Sequence, residues 1–307
     1  MELHQLRYFL TTLDEGSFSR AAVKHRLTQQ AISKSISRLE QELGTKLFLR
    51  DGRQIKPTAA GQMLAEHAQM IDAESHRFQR HLGELLGTTP GELQIGAGPT
   101  AARRLVAEAV QRLLDDRPEI RIAVSAGTTR SMTPQLKRGE IDVLVSVLAE
   151  RNPDPQLRCE VLYREPTMLV GRAEHPLVSR SRVSLTDTLR FPWLGGAGMD
   201  HWGDLVRSSF VAAGLKPPVP SVKTDSLPFA CGLLAGTDYL SVLPVDLVQP
   251  DLDAGRLAKI NTAVTWSRPM ALFYRHNSMQ SPAVSAFVRT LRVVAKRLAR
   301  GSKGLSA

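Results

Sequence analysis

Between residues 28 and 43, two sets of side chains interleave at helical spacing. Ile32, Ile36, Leu39 and Leu43 make one apolar stripe, and Gln29, Gln30, Ser33, Lys34 and Ser37 fall away from it, with Thr28 ahead of them and Arg38 beside them. Amides and hydroxyls can match the donors and acceptors on base edges, while Lys and Arg bring charge to phosphates. Serine is a weak helix former, because its hydroxyl bonds backbone in competing conformations. Its use at 33 and 37 makes sense where long side chains would hold the helix off a surface that it must approach closely. Ser35 belongs to neither face, and the pattern gives it no role.

A second candidate lies at Gly96-Ala97-Gly98-Pro99-Thr100-Ala101, which fits G-x-G-x-x-A after one strand and before one helix. A dinucleotide site needs an acid at the end of the next strand, but Asp115 and Asp116 precede that strand, IRIAVSAG, and it ends without a carboxylate. The turn is better explained by a need for small residues. The helix starting near Thr100 still aims free backbone N–H groups at the strand end, so a small anion is the guest that it suits. A comparable turn, Gly195-Gly196-Ala197-Gly198, leads into Met199, Asp200, His201 and Trp202.

Catalytic and metal-binding arrangements do not assemble. There is no G-x-S-x-G and no H-E-x-x-H, and His76 and His81 lie five apart, off the spacing that shares a helix face. Cys159 and Cys231 are isolated and read as buried small hydrophobes. No enzyme activity, metal or cofactor is expected.

The elements that must position these residues follow from periodicity and punctuation. Helices over 2–14, 17–25 and 29–43 are followed by LFLRDGRQIKPT, two short strands around the turn pair Asp51-Gly52. Ser17 and Thr28 are N-caps, and Gly44 is a C-terminal glycine. This is a helix-turn-helix with a basic wing. From Ala59 to about Gly87 one long helix carries Leu64, Ala68, Ile71, Ser75, Phe78, Leu82 and Leu85 at alternating steps of four and three, a seam suited to a partner helix. After the linker TTPGEL, strands and helices alternate as βαβαβ, which predicts a parallel sheet. A second comparable half begins near Pro166, and MALFYR with a helix over 282–299 returns to the first. In that helix Val288, Leu291, Val294, Ala295 and Leu298 make a buried stripe, so its basic residues read as a solvated face.

The chain has 307 residues, 42% apolar, and a formal net charge of +10. That excess is weak evidence for nucleic acid, since residues 1–90 hold 12 basic and 10 acidic side chains. The local balance is more telling. Residues 17–58 hold nine (Arg20, Lys24, Arg26, Lys34, Arg38, Lys46, Arg50, Arg53 and Lys56) against the acids Glu40, Glu42 and Asp51. No apolar run reaches the roughly 20 residues of a membrane helix and no signal peptide opens the chain, so the expectation is a cytoplasmic protein with no membrane contact.

The run from LHQLRYFL to PTAAG, with "GSFSRAA" and "AISKSISRLEQELGTKLF", resembles the N-terminal domain of LysR-type transcriptional regulators over nearly its whole length. "GEIDVLVS", "HPL" at 175–177 and "LLAGTDYLSVLP" match landmarks of the family's C-terminal domain more loosely. The resemblance implies a winged helix-turn-helix over 1–58, a linker and dimerisation helix over 59–89, and a periplasmic-binding-protein-like α/β effector domain over 90–307. Its lobe I would take about 90–162 and 267–301, and lobe II about 163–266. It implies double-stranded promoter or operator DNA as one partner, contacted by Thr28, Gln29, Gln30, Ser33, Lys34, Ser37, Arg38, Arg50, Arg53 and Lys56. It further implies a small-molecule effector, a carboxylate among the candidates, near Thr100, Thr128, Thr129, Ser146, Met199, His201 and Trp202. Assembly would be a homodimer or homotetramer through the linker helix. One departure stands out: Gln30 occupies a position where the family commonly has proline, and it brings an amide that can reach a base edge.

Overall fold

The computed structural model describes all residues except 52, 53, 89, 149–153, 197–199, 277, 279, 280 and 304–307. The chain forms two compact units, Met1–Thr89 with Lys137–Glu140, and Pro90–Leu136 with Ile141–Ala307.

The first unit holds α1 (Leu3–Glu15), α2 (Phe18–His25), α3 (Gln29–Leu43), β1 (Phe48–Asp51), β2 (Gln54–Pro57) and α4 (Ala59–Leu85). The expected caps at Ser17, Thr28 and Gly44 are present, and Thr58 and Gly16 add two more. The hydroxyls of Ser17, Thr28 and Thr58 accept the N–H groups of Arg20, Ala31 and Gly61, and Gly16 and Gly44 end α1 and α3 in the left-handed region. Arg26 ends α2 at φ 54°, a conformation that is costly for a residue with a Cβ. Phe9, Ala21, Ala22, Ile32, Ile36, Leu39, Leu47, Phe48 and Ala65 form the core, so Ile32, Ile36 and Leu39 of the α3 stripe are buried as their spacing requires, whereas Leu43, in the last turn of the helix, is 42% exposed.

The second unit is built on a sheet with the order β10-β6-β11-β5-β3-β4. Lobe I contributes β3 (Glu92–Ala97), α5 (Pro99–Ala101), a π-helical stretch (Ala102–Val106), α6 (Ala107–Asp116), β4 (Arg121–Ala126), α7 (Thr129–Arg138) and β5 (Val143–Val147). β3 pairs with β4 and β5 in parallel, as the βαβαβ reading requires. β6 (Leu157–Arg172) then runs into lobe II. There α8 (Leu185–Thr188), β7 (Leu194–Gly196), α9 (Asp200–Ala212), β8 (Val222–Thr224), α10 (Leu227–Gly236), β9 (Ser241–Pro244), α11 (Val245–Asp253) and β10 (Leu257–Lys259) follow. β11 (Trp266–Arg275) returns to lobe I, and α12 (Pro282–Lys303) covers its sheet.

Four further expectations change. The second half does not start afresh near Pro166, because β6 passes through that proline as one strand of 16 residues. The seam of α4 is divided: Ala68 is buried and Leu64 packs on the unit's own core, while Ile71, Phe78, Leu82 and Leu85 are exposed. Cys159 is only half-buried, unlike Cys231. On α12 the apolar stripe is buried as expected, but Arg292 pairs with Glu160 at 2.6 Å and Arg297 with Glu108, so its basic face is partly neutralised.

His175 of the "HPL" landmark is a structural group. It is buried, its Nδ1 accepts the Leu177 N–H at 3.1 Å, and its Nε2 lies 3.3 Å from the Asp238 carbonyl, which fixes the neutral tautomer. Burial holds its pKa below the ordinary 6.5, against the opposing pull of the Asp238 carbonyl and carboxylate. A depressed folded pKa gives stability that is present above the unfolded value and lost as pH falls below it. The melting temperature is therefore expected to drop between about pH 7 and pH 5. His175→Asn, which keeps an acceptor for Leu177 but cannot titrate, should flatten that drop in a series of melts. An unchanged slope would rule the assignment out.

Candidate nucleic-acid interface and interlobe site

The first turn of α3 stands clear of the core. Gln29 and Gln30 are exposed, as is Lys34, while Ser33 and Ser37 are half-exposed. The side chain of Thr28 is committed to its cap, at 3.2 Å from the Ala31 N–H. Gln29 is held from α2, whose Ser19 hydroxyl donates to its Oε1 at 2.9 Å. Ser35, which the sequence left without a role, has a buried hydroxyl with no hydrogen-bond partner among the described residues.

The basic window is less free than its composition suggests. Lys24 pairs with Glu15 at 2.6 Å and Arg20 with the same carboxylate at 3.4 Å. The Lys24 hydrogen bond holds the Glu15 carboxyl below its usual range. Arg38 pairs with Glu42 at 3.3 Å, and Lys46 with Glu40 at 2.6 Å. Glu40 also accepts the Leu47 N–H at 2.9 Å, so this buried carboxylate fastens the approach to the wing onto α3. Arg26 and Lys34 form no ion pair with a described residue. Lys56 lies on β2, opposite Leu49. Arg53 lies outside the described residues, as do the side chains of Arg50, His201 and Trp202 and the whole of Met199.

In the second unit, the strand ends of lobe I gather the remaining candidates. The Gly98 N–H donates to the Val145 carbonyl at 2.8 Å and the Gly127 N–H to the Ala97 carbonyl at 3.1 Å, which brings the turns after β3, β4 and β5 to one sheet edge. Thr128 caps α7, with its Oγ1 accepting the Ser131 N–H at 3.2 Å. Thr129 Oγ1 lies 2.9 Å from Ser146 Oγ and 2.7 Å from the Val147 carbonyl. Small residues are indeed required here. A Cβ on Gly98 would stand 2.6 Å from Ser146 Oγ, and one on Gly96 would stand 2.5 Å from the Ile141 side chain.

Thr100 is occupied in a way that no local pattern revealed. Arg268 of β11 donates to Glu165 of β6 at 2.7 Å and to Thr100 Oγ1 at 2.9 Å. Glu165 and Arg268 are register partners on the two crossover strands. Glu165 is 2% exposed, and burial raises its carboxyl above the ordinary range despite the guanidinium and the Thr100 hydroxyl. Burial likewise pushes up the nearby Tyr163 phenol. Beside this network, Arg104 of the π-helical stretch pairs with Asp246 at the start of α11 at 2.6 Å and so ties lobe I to lobe II. Glu165 and Arg268 are 103 positions apart in the chain, too far for any spacing rule to join them.

A winged helix-turn-helix joined through a long helix to a two-lobed α/β unit is the build of a DNA-binding protein with a sensing domain. Residues 3–62 match the family described as bacterial regulatory helix-turn-helix protein, lysR family, and residues 87–296 match the LysR substrate binding domain. The chain belongs to the LysR family of transcriptional regulators. It is 31% identical to the SDS degradation transcriptional activation protein of a Pseudomonas species, over 93% of this chain and 94% of that one. Its fold is similar to that of a full-length OxyR variant from Pseudomonas aeruginosa, with a TM-score of 0.68, 22% identity, and coverage of 95% and 98% of the two chains. It is also similar to full-length CbnR complexed with its target DNA, with a TM-score of 0.70, 21% identity, and coverage of 96% and 100%. Among the described residues no helix is long and apolar enough to cross a membrane, and no group of His, Cys, Asp and Glu could hold a metal ion.

Proposed function

We propose that this regulator reads operator DNA with the face of α3 that carries Gln29, Gln30, Ser33, Lys34 and Ser37, held in the major groove. Arg38, Arg50, Arg53 and Lys56 supply phosphate or minor-groove contacts. The observation that carries this reading is the division of α3 into a fully buried Ile32, Ile36 and Leu39 stripe and a face of exposed Gln29, Gln30 and Lys34 with half-exposed Ser33 and Ser37. A small anionic effector, a carboxylate by chemistry, sits between the lobes near Thr128, Thr129, Ser146, Met199, His201 and Trp202, and acts by binding two lobe arrangements with different affinity. Thr100 contributes through its backbone, since its hydroxyl is engaged with Arg268. Two copies pair through the exposed half of α4, where Ile71, Phe78, Leu82 and Leu85 lie uncovered. The winged helix-turn-helix spans 1–58, the linker helix 59–89 and the effector domain 90–307, and the protein works in the cytoplasm without enzymatic turnover.

The test is selection of bound duplexes from a randomised DNA library by the full-length protein, followed by affinity measurement over a salt series. Gln30→Ala and Ser33→Ala should change the selected sequence. Lys56→Ala should weaken binding to all sequences and lower the salt slope by about one. Equal effects of all three on selected and random DNA would sink the base-reading assignment.

A further inference from the structure

The two adjacent glutamines that open α3 are not in equivalent states. Gln29 is tethered: its Oε1 accepts the hydroxyl proton of Ser19, from the first turn of α2, at 2.9 Å. The side chain of Gln30 is exposed and makes no hydrogen bond with a described residue. A glutamine with both ends free can bond adenine bidentately, with the oxygen taking the N6 proton and the NH₂ group donating to N7. A glutamine whose oxygen is turned toward a serine hydroxyl keeps a second lone pair there, but it directs its NH₂ group away from the serine. That group is satisfied by O6 and N7 of guanine, by O4 of thymine or by N7 of adenine, and it is opposed by the amino groups of adenine and cytosine beside those positions, so the keto bases suit it best.

We propose that Ser19 is a positioning residue for DNA specificity. By holding the Gln29 oxygen toward α2 it orients Gln29 as a donor to keto bases, guanine or thymine, and leaves the neighbouring Gln30 as the amide free to read adenine bidentately. The proposal rests on the assignment of α3 to the base edges. The bond is exposed in the free protein and would cost the helix little if lost. Inside a groove that excludes water, the same bond decides which end of the amide faces the base. Ser19 touches no base in this scheme and acts only through Gln29.

The experiment is selection from a randomised duplex library by four full-length proteins: the parent, Gln29→Ala, Ser19→Ala and Ser19→Thr. Circular dichroism and melting verify that each is folded. Gln29→Ala identifies the base position that Gln29 reads, as the column whose preference it erases. At that column the parent should prefer guanine or thymine over adenine and cytosine by about tenfold. Ser19→Ala should lose most of that preference through a rise in adenine, and Ser19→Thr, which keeps the hydroxyl, should restore it. A column that Gln29→Ala erases but Ser19→Ala leaves unchanged overturns the role of Ser19 and spares the base reading. A parent preference for adenine or cytosine there overturns the donor polarity. If Gln29→Ala erases no column, the base-reading assignment of Gln29 fails as well.

Discussion

Arg268→Met is expected to destabilise the two-lobed unit by about 3–5 kcal/mol in urea denaturation, because it leaves the Glu165 carboxyl buried without its counter-charge. Glu165 is 2% exposed, and its partners are Arg268 at 2.7 Å and the Thr100 hydroxyl. Removing the guanidinium leaves only the hydroxyl. Glu165→Gln is expected to cost less, since the amide oxygen still accepts from Arg268 and the guanidinium left without a counter-charge is 12% exposed, against 2% for the carboxylate. The double variant Glu165→Met with Arg268→Met should recover most of the loss, because burial already pushes the Glu165 carboxyl up and the ionised pair is expensive to keep. A double variant no more stable than Arg268→Met alone would refute this account. The same series bears on signalling. The pair sits on the two crossover strands and holds Thr100 at the start of the first lobe I helix, so its loss should also change any lobe rearrangement that a bound effector drives.

What the sequence made legible is what short-range chemistry decides. Three of the four stripe residues, Ile32, Ile36 and Leu39, the caps at Ser17 and Thr28, and Gly44 each act within a turn or two of helix, and the structure has them as read; Leu43, at the end of the helix, runs past the core and is exposed. The course of β6 was hidden because Pro166 is a strand breaker when judged alone. In the sheet, the pairing of β6 with β9 begins only at Thr167, so the missing N–H of Pro166 costs no bond on that side. The α4 pattern was ambiguous for a similar reason. A heptad seam does not say whether its partner is the same chain or another, and here Leu64 and Ala68 are used internally while Phe78 and Leu82 are not. Within the candidate sites, side-chain types marked the exposed face of α3, but the contacts that constrain it come from elsewhere. Ser19 reaches Gln29 from the preceding helix, and Glu42 draws Arg38 along its own.

Gly61→Ala should weaken the DNA-binding unit although alanine is the better helix former. By propensity alone the change would stabilise α4 by about 1 kcal/mol. Sterics oppose it: a Cβ at this position would stand 2.1 Å from the Leu47 carbonyl oxygen, 3.1 Å from its carbon and 3.3 Å from Pro57 Cβ. None of these atoms is the end of a flexible side chain, so relief requires the helix to move off the wing. That movement is resisted by Thr58, whose N–H donates to the Leu47 carbonyl at 2.9 Å and whose hydroxyl donates to the Lys46 carbonyl at 2.7 Å. Overpacking of this kind costs about 1–3 kcal/mol or more, which exceeds the gain in propensity. The expected result is a lower unfolding midpoint together with weaker DNA binding, while Gln62→Ala, one position on and exposed, leaves both nearly unchanged. A Gly61→Ala protein that melts higher than the parent would refute the steric argument. The glycine that closes the "PTAAG" run thus has a mechanical meaning. It lets the first turn of α4 lie against the backbone beside the wing, and Glu40 fastens that same Leu47 to α3, so the start of α4 and α3 are joined through one residue.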